Sequence, residues 1–226
     1  MKIKWGALVV DGRGKIGGQV ASKNRSGAYM RNKVTPTNPQ TAAQSAVRAI
    51  LAAASQAWSG LSEAQRAAWN GAVQAWIGNN VFADGVVPSG KNLYTRLRAN
   101  LVGIGQAALS TPPLPVAVVA PGLGTIDCDI SDTELNVPYT GTSAAQYLII
   151  EATAPQTAGT YNPSGRYRQI HTALQNTASP INVYTQYVAK FGAPAAGQTV
   201  FVRVKSIVTA TGQNSPYESG SCIVQA

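Results

Sequence analysis

Three glycines in the run Gly12-Arg13-Gly14-Lys15-Ile16-Gly17, behind Leu8-Val9-Val10, have the G-x-G-x-x-G spacing that holds a dinucleotide pyrophosphate. That chemistry needs a helix opening at the third glycine, so that its N-terminal amides meet the phosphates, and an acidic residue about 20 positions on for the ribose. Neither is present: Gly18 and the turn-forming Asn24-Arg25-Ser26-Gly27 follow, and residues 18 to 48 contain no Asp or Glu. Lys15 precedes Ile16 rather than a hydroxyl residue, which excludes a Walker-type phosphate loop. The glycines read instead as turns that let a basic, extended segment lie close to another surface.

Other reactive constellations are as sparse. Asp127, Asp129, Asp132 and Glu134 gather beside Ser131 and Thr133, an oxygen-rich stretch of the kind that holds calcium, but without the spacing or glycine of an EF-hand. It reads as a solvated acidic turn whose charges also protect a strand edge. His171 is the sole histidine and reads as a strand residue, and no serine sits in a G-x-S-x-G elbow. Cys128 and Cys222, the only cysteines, lack C-x-x-C spacing and are expected as free thiols. The expectation is a non-enzyme with no cofactor and no metal.

The net charge of +9 is concentrated at one end. Residues 1 to 48 carry Lys2, Lys4, Arg13, Lys15, Lys23, Arg25, Arg31, Lys33 and Arg48 against Asp11 alone, a balance of +8. Such an arm reaches for a polyanion or an acidic protein surface. Arg13, Lys15, Lys23, Arg25, Tyr29, Arg31 and Lys33 are its candidate contact residues. Period-two alternation puts Tyr29, Arg31 and Lys33 on one strand face. Two readings stay open there: an aromatic between two cations that stacks on a base, or a solvated face with one tyrosine. No apolar run approaches the length of a membrane span, and the start lacks a signal peptide's apolar core, so a protein made and kept in a cytoplasm, or packed into a particle there, is expected.

The elements that would position these residues fall into an arm, a helical module and a β domain. Residues 1–38 read as an arm with a hairpin, Gln19 to Lys23 against Ala28 to Val34. Residues 39–110 read as three helices: one from the Asn38-Pro39 cap to Trp58, one from the Ser62 to Gln65 capping box to about Ile77, and one from Gly90 to about Val102. Trp58, Trp69 and Trp76 are expected in the core or at an oligomer interface. Thr111-Pro112-Pro113-Leu114-Pro115 reads as a stiff linker, residues 111–116, and a domain boundary. Residues 117–226 carry seven short strand-like runs: Thr125 to Ile130, Glu134 to Tyr139, Gln146 to Thr153, Arg166 to Ala173, Ile181 to Ala189, Thr199 to Ala210 and Ser219 to Val224. Together they predict an α+β chain: an extended arm and three-helix module, then a fibronectin type III or immunoglobulin-like β-sandwich.

Gly14-Lys15-Ile16-Gly17-Gly18, Lys23-Asn24-Arg25-Ser26-Gly27-Ala28-Tyr29-Met30-Arg31, Pro36 to Gln44 and Arg48 form a pattern that continues through Trp58-Ser59-Gly60-Leu61-Ser62, Ala67-Ala68-Trp69 and Ser89 to Tyr94. Over residues 14 to 105 it resembles a poorly characterised group of bacteriophage and prophage proteins. The resemblance implies a virion component, at the head, neck or tail, that contacts capsid, neck or tail subunits and forms a homo-oligomer. Two alternatives compete with it. One is a nucleic-acid-binding protein using the basic end. The other is a surface adhesion module whose Tyr161, Tyr167 and Tyr217 stack on sugars.

Overall fold

A computed structural model describes residues 12–24, 27–79, 85–140, 145–161, 163, 165–174 and 177–226. Its contacts divide the chain into two compact units, Met1–Ser45 and Ala46–Ala226. In the first, β1 (Gly14–Ile16), β2 (Gln19–Asn24) and β3 (Gly27–Asn32) form an antiparallel sheet in that order. Ile16 pairs with Gln19 across Gly17-Gly18, and Gly17 has φ +57°, the positive value a two-residue hairpin turn requires. The third glycine of the spacing therefore closes a hairpin rather than opening a helix. Arg25 and Ser26, between β2 and β3, lie outside the described residues.

Helix α1 (Ala42–Ser59) starts later than the expected cap at Asn38. Gln40 holds φ +47°, which no right-handed helix tolerates, and Thr41 and Gln44 cap each other instead. The Gln44 amide donates to Thr41 Oγ1 and the Thr41 amide to Gln44 Oε1, both at 3.3 Å. The Ser62/Gln65 capping box opens α2 (Glu63–Ala72), which tightens into a 3-10 turn at Val73–Trp76. A short pair, β4 (Gly78–Asn79) and β5 (Gly85–Val86), precedes α3 (Gly90–Gly103), whose first turn is capped by Ser89.

Trp69, Trp76, Leu93, Tyr94 and Leu97 form one core, with Ala57 and Trp58 of α1 packed against it. Trp69 is wholly buried, and its Nε1 donates to the Ser110 carbonyl at 3.0 Å. Trp76 Nε1 donates to the Pro113 carbonyl at 3.3 Å. These bonds alter the expected role of the proline-rich stretch. A buried indole N–H needs an acceptor, so residues 110–113 lie as a strap along the helices rather than as a free linker.

The remaining strands are β6 (Gly122–Leu123), β7 (Asp127–Asp129), β8 (Glu134–Val137), β9 (Tyr139–Thr140), β10 (Gln146–Ala152), β11 (Arg168–Leu174), β12 (Ile181–Asn182), β13 (Thr199–Val208) and β14 (Glu218–Ile223). A four-stranded sheet runs β11-β10-β13-β14 and a three-stranded one β12-β8-β7, all antiparallel, while β6 pairs with β9. Alternation does the sorting: Val200, Val202 and Val204 of β13 meet Leu135 and Val137 of β8 in one core, and Phe201, Arg203, Lys205 and Ile207 take the opposite face. Both cysteines are free and buried in this core.

One expected strand is a helix. After Asn182 the chain forms α4 (Tyr184–Phe191). Tyr184, Tyr187, Val188 and Phe191 fall at i, i+3, i+4 and i+7, a helical period that β-branched texture conceals. Tyr187 is wholly buried and its hydroxyl donates to the Thr153 carbonyl at 3.0 Å, fixing α4 to the sheets.

Helices and strands of the second unit are joined through α3. Leu101 and Ile104 cluster with Ile149 of β10 and Ile207 of β13. Asn100 Nδ2 donates to the Gly212 carbonyl at 2.8 Å and Gln106 Nε2 to the Tyr147 hydroxyl at 2.9 Å. Gly212 holds φ +73°, and a Cβ there would sit 2.7 Å from the Leu97 carbonyl oxygen. Gly212→Ala is therefore expected to destabilise by about 2 kcal/mol or more, whereas Ser206→Ala, which removes a buried hydroxyl without a partner, gains up to about 1 kcal/mol. Urea unfolding curves of both variants measure the two shifts. Thiol titration of the native protein should find neither cysteine, and both should react once it is unfolded.

Candidate interaction surfaces

The first surface lies on the arm. In its register Lys15 pairs with Val20 and Val20 with Arg31, so the three side chains share one face of the sheet. Tyr29, opposite Ser22, falls on that face as well. Lys33 follows β3, its amide donating to the Gly18 carbonyl at 2.8 Å. Lys15, Arg31 and Lys33 together line a cleft of about 550 Å³ with Asn32, Val34 and Thr35. No carboxylate is among its described lining residues. Three cations, Lys15 of β1 with Arg31 at the end of β3 and Lys33 just after it, thus converge on one site, a field suited to phosphate or carboxylate groups.

Other predicted contacts divide from this cleft. Lys23 pairs with Ala28 and points to the opposite face of β2. Arg13 precedes β1 and is exposed, without joining the cleft lining. Arg25 lies outside the described residues.

The second surface is the start of α1. Every residue from Arg31 to Ala49 is exposed, although α1 is helical from Ala42. Val47, Ile50, Ala54 and Ala57 repeat at spacings of four and three, the seam of a helix that packs on another helix. Only the later part of that seam is covered, by burial of Ala54 and contact of Ala57 and Trp58 with the helical core. Val47 remains 66% exposed and the neighbouring Leu51 54% exposed. Arg48 is the single charged residue in the 18 of the helix.

The tryptophans are not that interface. Trp69 and Trp76 are interior, and Trp58 packs its ring at 5.5 Å from that of Tyr94. Their helical spacing marks a core face; the signal for the exposed seam was the near absence of charge in Ala42–Ser59.

The acidic stretch is occupied locally. Asp129 Oδ1 accepts from the Ser131 amide at 2.8 Å and the Ser131 hydroxyl at 2.7 Å, and Glu134 accepts from Asn136 Nδ2 at 2.6 Å. The Ser131 hydroxyl, and then the turn amides, hold the Asp129 carboxyl below its usual range. Among the described residues no group of three or more His, Cys, Asp or Glu is placed to hold a metal ion. No described helix is long and apolar enough to cross a membrane.

No family model matches the chain, and no curated protein matches it. Among solved structures it is similar to a β-1,2-glucanase from Parabacteroides distasonis, at 11% identity and a TM-score of 0.36, over 51% of this chain and 14% of that one. A likeness of that size carries neither fold nor activity across.

The basic cleft generates a direct expectation. If it receives phosphates, the protein binds duplex DNA with an affinity that falls with salt, and replacing Lys15, Arg31 and Lys33 with Ala lowers the logarithmic salt slope by about 3. An unchanged slope would show that the cleft does not meet phosphates.

Proposed function

We propose that the chain is a non-enzymatic, self-associating structural component of a bacteriophage virion, a head decoration, fibre-base or neck and tail accessory protein. The observation that carries assembly is the exposed seam of α1. An isolated helix face bearing Val47, Ile50 and Leu51 and almost no charge is poorly suited to water, and it continues a seam already packed at Ala54 and Ala57. A second copy fits it: with one charge per helix, identical faces meet without burying opposed like charges. Its uncovered part, residues 42–53, spans about 18 Å, between one and two heptads of contact. The virion setting comes from the resemblance of residues 14 to 105.

In this reading the basic cleft engages an acidic neighbour on the particle, and the C-terminal half is a displayed fibronectin type III-like sandwich. The three-stranded order β12-β8-β7 facing the four-stranded β11-β10-β13-β14 supports that assignment. Nucleic acid is the second reading, favoured by the convergence of Lys15, Arg31 and Lys33.

Light scattering after size exclusion is expected to give a defined oligomer for the native protein and the monomer mass, 23.5 kDa, for Val47→Glu with Leu51→Glu. A native monomer would defeat self-association. Mass spectrometry of purified particles from the host that carries the sequence should find the chain at stoichiometric abundance; its absence would defeat the virion assignment.

A further inference from the structure

The solvent face of the four-stranded sheet is covered by α3 only at the end marked by Ile149 and Ile207. Toward the other end, Arg203 is held between two rings, its guanidinium carbon 4.3 Å from the Tyr167 centroid and 4.1 Å from that of Tyr217. Arg203 Nε donates to Glu151 Oε2 at 2.7 Å, and the Tyr217 hydroxyl donates to Glu151 Oε1 at 3.1 Å. Glu151 thus balances the Arg203 charge, and the guanidinium stack holds the Tyr167 ring in place.

Beside Tyr167 opens a cleft of about 250 Å³ lined by Tyr161, Pro163, Tyr167, Phe201 and the β14 residues Ser219 to Ser221. Phe201 pairs with Ser221 and Arg203 with Ser219, which sets both serines on the same solvent face as the aromatic residues. Tyr161 is 92% exposed. Three features select a ligand. The described lining contains no charged residue, which disfavours ions. The serine and tyrosine hydroxyls disfavour a purely apolar ligand. The volume lies below that of drug-sized sites, so it suits about one ring.

We propose that this cleft binds a single neutral hexose unit of a saccharide, its C–H face stacked on Tyr161 and Tyr167 and its hydroxyls bonded to Ser219 and Ser221. The site is independent of self-association through α1 and adds a ligand to the displayed domain. A proline-rich peptide would also seek aromatic faces, but it needs an elongated groove with successive ring-lined pockets, and this cleft has room for about one ring.

Saturation-transfer NMR on the full chain tests the site, with methyl glycosides of glucose, galactose and mannose and with N-acetylglucosamine as probes. At least one is expected to receive saturation on its ring protons. Tyr161→Ala, which removes a side chain that is almost wholly in solvent, should weaken that probe about tenfold or more with unchanged thermal unfolding. Ser219→Ala with Ser221→Ala should weaken it too. No transfer to any of the four, undiminished binding by Tyr161→Ala, or displacement of the sugar by a proline-rich peptide would each overturn the proposal.

Discussion

The second unit depends on one helix meeting two partners at once. Residues Leu93, Tyr94 and Leu97 of α3 face Trp69 and Trp76, and Leu101 with the following Ile104 rests on Ile149 and Ile207 of the four-stranded sheet. Gly212 permits that approach, because any side chain there would meet the Leu97 carbonyl. The Asn100 bond to the Gly212 carbonyl then fixes the helix against the loop after β13. With α3 so placed, the indole donors of Trp69 and Trp76 fall where the strap at 110–113 supplies acceptors, and a segment composed like a free linker becomes part of the packing.

The same placement decides which surfaces remain available. One end of the outer sheet face lies under α3, leaving the other for the Tyr167, Arg203 and Tyr217 clamp. The helical core takes the C-terminal half of α1 and leaves Val47 and Leu51 outside. Burial of about one Leu or Val side chain is worth roughly 1.5–3 kcal/mol, so the uncovered seam is a substantial driving force once a second copy supplies the other side. The arm differs in kind: its cleft offers charge rather than apolar area, and its contacts are expected to weaken with salt.

Much of this was legible in the sequence because it rested on local rules. The Ser62 to Gln65 capping box, the Ser89 cap, the hairpin flanks and six of the seven strand runs each express a short-range preference. The errors share a cause. Tyr184 to Phe191 reads as β by residue type and as a helix by period, and the tertiary bond from Tyr187 to Thr153 favours the period. Composition made 111–116 look like a boundary because the indole acceptors at Ser110 and Pro113 are 41 and 37 residues distant from their donors. Trp69 and Trp76 were legible as one helix face, but whether that face meets its own chain or another depends on α3. Likewise Tyr161, Tyr167 and Tyr217 could be seen as exposed aromatics, whereas the Arg203 and Glu151 clamp that holds Tyr167 and Tyr217 is a cross-strand feature of β10 and β13.

The central claim is that residues 42–53 of α1 form a surface completed by another copy. Hydrogen–deuterium exchange at high and low protein concentration tests it most directly. Amides of this segment are expected to be protected in concentrated protein and to exchange quickly on dilution, with those of α3 unchanged. Exchange in 42–53 that is the same at both concentrations, with the protein monomeric throughout, would contradict it.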